Sequence, residues 1–216
     1  MHKIVTLLLL LGMSACGARD RGPHAPAIPA GQSYRGGYRL PVEGAWKVHR
    51  THYGARNDQA YAVDLIKAER LPHNQRQKPL SAFPSWNQPI VADGPGVVAV
   101  SVDGVPDNPP GVVNGYHAHG NYVVIDHLNG EFSLFAHFVK GSIKVRAGQR
   151  VGMGELLGYC GNSGRSTMPH LHWQVMSHFE AHRAKARKIR HITYERNGRQ
   201  SRSALQKGDV VRPLGD

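Results

Sequence analysis

Short apolar runs separated by turn residues make up most of the chain between residues 41 and 176. Valine, isoleucine and tyrosine recur in these runs, and glycine, proline, asparagine and aspartate interrupt them. This pattern is typical of β-strands joined by turns. No long helical periodicity is found in the same region. The pattern therefore predicts an all-β domain with a small, mostly antiparallel β-sheet and long loops.

Individual strands can be placed from these runs. They are predicted at residues 38–41, 44–50, 60–66, 89–100 (strand, turn, strand), 120–127, 131–138, 145–157 (two short strands) and 170–175. Asn129-Gly130 is a strong hairpin signal between two of them. Beyond Met176, residues 178–190 predict a short basic helix or a loop. A second Asn-Gly at 197–198 predicts a closing hairpin, and residues 205–211 predict a last strand.

Candidate chemistry first emerges in residues 169–175, which read Pro-His-Leu-His-Trp-Gln-Val. Side chains alternate faces along a strand, so His170 and His172 should share one face while Leu171 and Trp173 face the core. Taken alone the pair is a weak signal, because the chain has 14 histidines. A second such pair, His117 and His119, lies in a predicted loop and is expected to face solvent.

Asp64 and His137 strengthen this signal. Asp64 lies in the apolar run 60–66, where a carboxylate is costly to bury unless it is paired or binds a cation. An aspartate at a strand end facing solvent is the ordinary alternative. His137 comes near the end of another predicted strand, and a strand can deliver it to the same place.

The first fifteen residues have the features of an export signal. Lys3 gives a positive start, and residues 4–11 form an apolar run too short to span a bilayer. Small residues then precede Cys16, which resembles the lipobox of bacterial lipoproteins. We therefore expect cleavage before Cys16 and a lipid on that cysteine; an ordinary secretory signal is the alternative. Gly17 at the next position resembles the sorting signal of outer-membrane lipoproteins. We therefore expect the protein at the periplasmic face of the outer membrane.

The rest of the chain divides into a tether and one domain. Residues 16–37, rich in Ala, Pro, Gly and Arg, predict a flexible tether. The domain spans 38–216, with a core at 41–176 and a basic C-terminal extension at 177–216. Cys160 is the only other cysteine, so no internal disulfide is expected if Cys16 carries lipid.

Positive charge is concentrated in this extension. The formal net charge is +12, and residues 180–202 carry eight Lys and Arg against two Asp and Glu. A basic surface can meet nucleic acid, an anionic membrane or an acidic polymer. No nucleic-acid motif with stacking aromatics accompanies it, so nucleic acid is not expected as a partner. A solvated basic face without a dedicated partner is an equally open interpretation.

Many short motifs occur in an order that resembles one family. They are Tyr61-Ala62-Val63-Asp64, Asp93-Gly94-x-Gly96-Val97, residues 120–127, Phe135-Ala136-His137-Phe138, Val145-x-x-Gly148-x-x-Val151, Gly158-x-x-Gly161-Asn162-Ser163-Gly164 and Pro169-His170-Leu171-His172. Together they resemble the M23 peptidases of lysostaphin and LytM type over residues 41–176. The resemblance implies a small antiparallel β domain of the glycyl-glycine endopeptidase kind, with a zinc cleft, that acts on peptidoglycan peptides.

The resemblance also implies roles for the site residues. Asp64 and His172 match the positions of zinc ligands, and His137 and His170 match the catalytic pair that does not bind the metal. A catalytic zinc takes three protein ligands and keeps a fourth position open. The family has its first ligand histidine four residues before the aspartate, where this chain has Ala60. We expect His52 to be the third ligand, reached by a loop, with His49 as the fallback and an incomplete site as the alternative.

Three functions follow from these interpretations. The first is a lipid-anchored, exported zinc endopeptidase that cuts peptide stems or cross-links of peptidoglycan. The second is a catalytically impaired module of LytM type that binds and activates cell-wall amidases, and Ala60 is the residue in its favour. The third is a peptidase acting on a secreted protein.

Overall fold

The computed structural model describes residues 33–34, 36–53 and 59–215. The expected signal segment, Cys16 and nearly all of the tether lie outside the described residues. Within them the strands are β1 Trp46–Thr51, β2 Val63–Lys67, β3 Pro89–Val91, β4 Gly96–Val102, β5 Asn121–Asp126, β6 Phe132–Phe138, β7 Arg150–Val151, β8 Leu156–Tyr159, β9 Leu171–Met176, β10 Ala186–Arg187, β11 Tyr194–Arg196, β12 Arg199–Ser201 and β13 Val210–Pro213. Short 3₁₀ helices occur at Gln75–Gln77, Leu80–Ala82 and Ala181–Arg183.

One large antiparallel sheet organises the described part of the chain. Its strands follow the order β12-β11-β13-β1-β2-β9-β6-β5-β4-β7, with β10 also paired to β9, and β3 and β8 form a separate two-stranded sheet. None of the helices in the described ranges is long and apolar enough to cross a bilayer. The predicted all-β, mostly antiparallel fold is confirmed.

Strand β9 lies in the middle of this sheet, and all six of its residues are buried. Trp173 packs into the main core with Phe135 of β6 and Val63 of β2. Its indole Nε1 donates to the Asp93 carboxylate at 2.9 Å, and Ser133 Oγ donates to the same carboxylate oxygen at 2.6 Å. The core therefore fixes one face of β9 through both apolar packing and buried hydrogen bonds.

One of the predicted strands is absent from the fold. Residues 38–41 form no strand; they join the fold through isolated backbone bonds, such as Arg39 N–H to Asp93 O at 2.8 Å, and Pro41 has no N–H to donate. Residues 178–190, predicted as a short basic helix or a loop, contain a 3₁₀ turn and the two-residue strand β10. The predicted hairpin after Ile192 is present as β11 and β12, and β13 pairs with β1, so the extension continues the main sheet.

Candidate metal centre and the histidines around it

Asp64 and His172 face each other across two neighbouring strands. They are direct partners in the antiparallel pairing of β2 with β9, so both side chains point to the same face of the sheet. His172 Nδ1 lies 2.9 Å from Asp64 Oδ1. Both residues are buried. The centre is therefore built on two adjacent strands, which hold these two side chains rigidly.

His52 reaches the same face through an irregularity in β1. The register between β1 and β2 shifts between Val48 and Arg50, so His49 has no partner residue. One extra residue inverts the alternation of faces along a strand. Val48 points into the core, so Arg50 and His52 turn to the face that carries Asp64. His52 Nε2 lies 3.1 Å from Asp64 Oδ2.

Together these three residues offer a compact set of ligand atoms. One atom each from His52, Asp64 and His172 lies within 4.8 Å of the other two. His49, the fallback ligand, is exposed at the edge of the cleft and does not belong to this group. The structure thus brings together the three residues named as ligands, and their binding of metal stays a prediction.

A second irregularity places His137. Phe138 pairs with Asn121 and Ala136 pairs with Tyr122, so His137 is the extra residue of a bulge in β6. Its φ of 71° lies in the left-handed region, which is rare for a residue other than glycine. Regular alternation would point His137 away from His172, the direct partner of Ala136. Instead its ring centroid lies 6.0 Å from that of His172.

His170 stands one residue before β9, beside His137. The two ring centroids are 4.8 Å apart, and His170 Nε2 is 3.9 Å from Asp64 Oδ1. His170 Nδ1 donates to the Met168 carbonyl at 2.9 Å, and His137 Nδ1 donates to the Ser163 carbonyl at 2.8 Å. In both rings the backbone therefore holds the proton on Nδ1 and leaves the Nε2 lone pair free for chemistry.

Burial and neighbouring charges set the protonation of these groups. Burial raises the pKa of Asp64, but hydrogen-bond contacts with His172 and His52 outweigh it and hold the pKa well below its usual range. Burial, with the charges of His170 and His172, holds the pKa of His137 well below its usual range. Burial also lowers the pKa of His170. At neutral pH the centre therefore holds an ionised carboxylate beside two neutral imidazoles.

The ring nitrogen of His172 that faces away from Asp64 contacts Gln174. The amide nitrogen of Gln174 donates to Met176 Sδ at 3.4 Å, which turns its oxygen towards His172 Nε2 at 3.0 Å. The Asp64 carboxylate accepts a hydrogen bond from His172 Nδ1 at 2.9 Å when that nitrogen is protonated. A metal ion bound between the two groups would displace that proton, and the neutral ring would keep the proton on Nε2 that is bonded to Gln174. The donor set of two imidazole nitrogens and a carboxylate fits zinc.

The centre lies at the base of an open cleft of about 520 Å³. The lining residues are His49, Arg50, His52, Gln59, Asp64, Val113, Ala118, His137, Arg165, Ser166, Thr167, Met168, His170 and His172. Arg50, Arg165 and Gln174 were not identified from the sequence. Gln174 could have been, because it follows His170 and His172 at the same period of two. Cys160 is buried away from this lining, and burial raises the pKa of its thiol, which fits a packing role.

Comparisons with known proteins agree with the resemblance found in the sequence. Residues 80–184 match the family model of peptidase family M23. Residues 80–184 therefore belong to a peptidase family M23 domain. The match includes His137, His170 and His172 but begins after His52 and Asp64. It therefore gives no information on His52 and Asp64.

Several relatives of this M23 domain are known. The peptidoglycan DD-endopeptidase ShyA of Vibrio cholerae is 30% identical over 138 residues, which is 64% of this chain and 26% of that protein. The DD-carboxypeptidase/endopeptidase Mpg of Neisseria meningitidis serogroup B is 44% identical over 57 residues, 26% of this chain and 13% of that protein. The chain therefore matches only about a quarter or less of these curated relatives. Lysostaphin from Staphylococcus simulans is similar with a TM-score of 0.44 and 20% identity, covering 68% of this chain and 51% of that one.

Proposed function

We propose that the protein is a zinc-dependent endopeptidase that hydrolyses peptide bonds in the stems or cross-links of peptidoglycan. One observation carries this proposal: the ligand atoms of His52, Asp64 and His172 cluster within 4.8 Å, and two neutral histidines stand beside them. The names of the M23 relatives ShyA and Mpg support peptidoglycan as the substrate class.

Each residue of the centre has a definite task in this proposal. His52 Nε2, Asp64 and His172 Nδ1 hold the zinc, and Gln174 keeps the His172 proton on Nε2. When bound, the zinc supplies Lewis acidity towards the scissile carbonyl and lowers the pKa of a water molecule. Neutral His137 and His170 can each accept a proton at Nε2 from the attacking water and return it to the leaving amine. The assignment of these two roles between the two histidines stays open.

Metal content and turnover, measured together, test the proposal. His172→Ala should lose both zinc and activity, because it removes a ligand. His170→Ala should keep zinc and lose activity, because it removes only a proton carrier. His73→Ala, at an exposed histidine outside the cleft, is the matched control and should keep both. Zinc is measured by mass spectrometry of the metal, and activity by identifying peptides released from purified sacculi.

The same assay separates the alternatives. A module that only activates amidases releases no peptides by itself but raises amidase activity on sacculi, with or without His170. A peptidase acting on a secreted protein would bind zinc and leave sacculi intact. The endopeptidase proposal fails if wild-type protein, loaded with zinc, releases no peptide from sacculi.

We also propose that the protein is exported and anchored by a lipid on Cys16, at the periplasmic face of the outer membrane. Small residues before Cys16 and glycine after it support this placement. The mass of the mature N-terminal peptide, compared between wild type and Cys16→Ser, tests it. A wild-type N-terminus that begins elsewhere, or that carries no lipid, would overturn it.

A further inference from the structure

A second pocket lies between the basic extension and the segments that carry the metal centre. Strand β10 pairs antiparallel with β9, with Arg187 opposite Val175, so the chain after β10 runs back towards the His172 end of β9. Lys188 is the next residue, and its Nζ lies 5.6 Å from the centroid of the Tyr61 ring. The extension is therefore packed against the residues that precede β2, close to Asp64.

This pocket has a volume of about 590 Å³, within the range of small-ligand sites. Its lining consists of Tyr53, Tyr61, Lys188, Ile189, Arg190, His191, Arg202 and Ala204. Three of these side chains carry a positive charge, and none of the described residues that line the pocket is a carboxylate; Glu131 lines the neighbouring cavity instead. Within the described residues, none of the ion pairs to Asp or Glu involves Lys188, Arg190 or Arg202.

Concentrated like charge in a partly enclosed pocket attracts an anion of matching size. Lysine and arginine repel one another when no counter-charge is present, and an anionic ligand removes that repulsion. Arginine also binds carboxylates through two parallel hydrogen bonds, which adds specificity. Tyr53 and Tyr61, whose rings are 6.1 Å apart, add apolar area and hydroxyl groups to one wall. Such a lining fits a carboxylate carried on a partly apolar chain.

The pocket is also close to the metal centre. Tyr53 directly follows His52, and Tyr61 comes three residues before Asp64. Three residues of extended chain span at most about 11 Å. A peptide with a free carboxylate three or four residues from its scissile bond spans a similar length.

We propose that this pocket binds a free carboxylate of the peptide substrate and so selects acidic peptides, such as the stem peptides of peptidoglycan. The proposal rests on the proposed function, and it assigns the basic extension a role in substrate recognition. Nucleic acid and lipid are not needed to account for the charge of this pocket.

The test compares two triple variants and two forms of one substrate. The pocket variant is Lys188→Gln/Arg190→Gln/Arg202→Gln. The control is Arg183→Gln/Arg199→Gln/Arg212→Gln, which removes the same charge from the same extension outside the pocket. The substrates are stem-peptide dimers from purified sacculi, with their free carboxylates either intact or converted to amides. Thermal unfolding of each variant confirms that it is folded.

We expect the pocket variant to raise KM for the intact dimer at least tenfold with kcat within twofold. The control should leave KM within twofold, and the amidated dimer should show no difference between variants. The proposal is overturned if KM is unchanged in the pocket variant, or if the control raises it equally. It is also overturned if the pocket variant loses only its binding to vesicles containing phosphatidylglycerol.

Failure of the proposed function gives a different result. In that case zinc-loaded wild type turns over neither dimer, while calorimetric titration of the intact and amidated dimers still measures binding to the pocket. Preference for the intact dimer, lost in the pocket variant, would support the pocket alone. Equal affinity for both dimers would refute it.

Discussion

Gln174→Ala should weaken zinc binding although Gln174 is not a ligand. The substitution removes the acceptor for His172 Nε2, a contact of 3.0 Å. Gln174 is 1% exposed and His172 is 5% exposed, so water does not readily replace the lost acceptor. An unsatisfied buried donor costs about 1–3 kcal/mol. Loss of such a partner typically lowers metal affinity about 10- to 100-fold, or about 1.4–2.7 kcal/mol.

Competition with a chromophoric chelator measures this loss directly. Gln174→Glu keeps an acceptor oxygen and should bind zinc at least as tightly as wild type. Gln200→Ala removes an exposed glutamine on β12 and should leave the affinity unchanged. ¹⁵N NMR of the zinc-loaded protein should show His172 protonated on Nε2 in wild type and a weakened Nε2–H hydrogen bond in Gln174→Ala. An affinity for Gln174→Ala within twofold of wild type would show that Gln174 does not support zinc binding by His172.

Two further substitutions test the surroundings of the centre. Burial lowers the pKa of His137, so the unfolded state binds more protons than the folded state below about pH 6.5. As the pH falls, zinc-free wild type should therefore lose stability relative to His137→Asn, by up to about 1.4 kcal/mol per pH unit. Urea unfolding from pH 7.5 to 5.5 checks this, and parallel curves for the two proteins would contradict it. Trp173→Phe removes a donor to buried Asp93 and should lower the free energy of unfolding by about 1–3 kcal/mol, whereas a change under about 0.5 kcal/mol would argue against a structural role for that contact.

The sequence contained enough to predict the fold and half of the centre. Alternation of apolar and polar positions determined the strands, and the period of two between His170 and His172 put them on one face. The carboxylate of Asp64 stood out because its neighbours Val63 and Leu65 are apolar. Each of these features can be predicted from sequence because it depends on the residues of one strand only.

The two bulges could not be predicted from local sequence. The residues around His49 and His137 give no signal of an extra residue, because a bulge is defined by the pairing with another strand. Yet the bulge at His49 decides that His52 faces Asp64, and the bulge at His137 turns that side chain towards His170. For His52 the resemblance to M23 peptidases, rather than the strand pattern, indicated the segment that the structure places beside Asp64.

Zinc content tests most directly whether His52, Asp64 and His172 form a metal centre. Purified wild-type protein and His52→Ala are each loaded with one equivalent of zinc, separated from free metal, and analysed by mass spectrometry of the metal. We expect about one zinc per wild-type chain and substantial loss of bound zinc in His52→Ala, because only two of the three protein ligands would remain. Wild type without zinc, or His52→Ala with unchanged zinc, would contradict the assignment of His52, Asp64 and His172 as ligands.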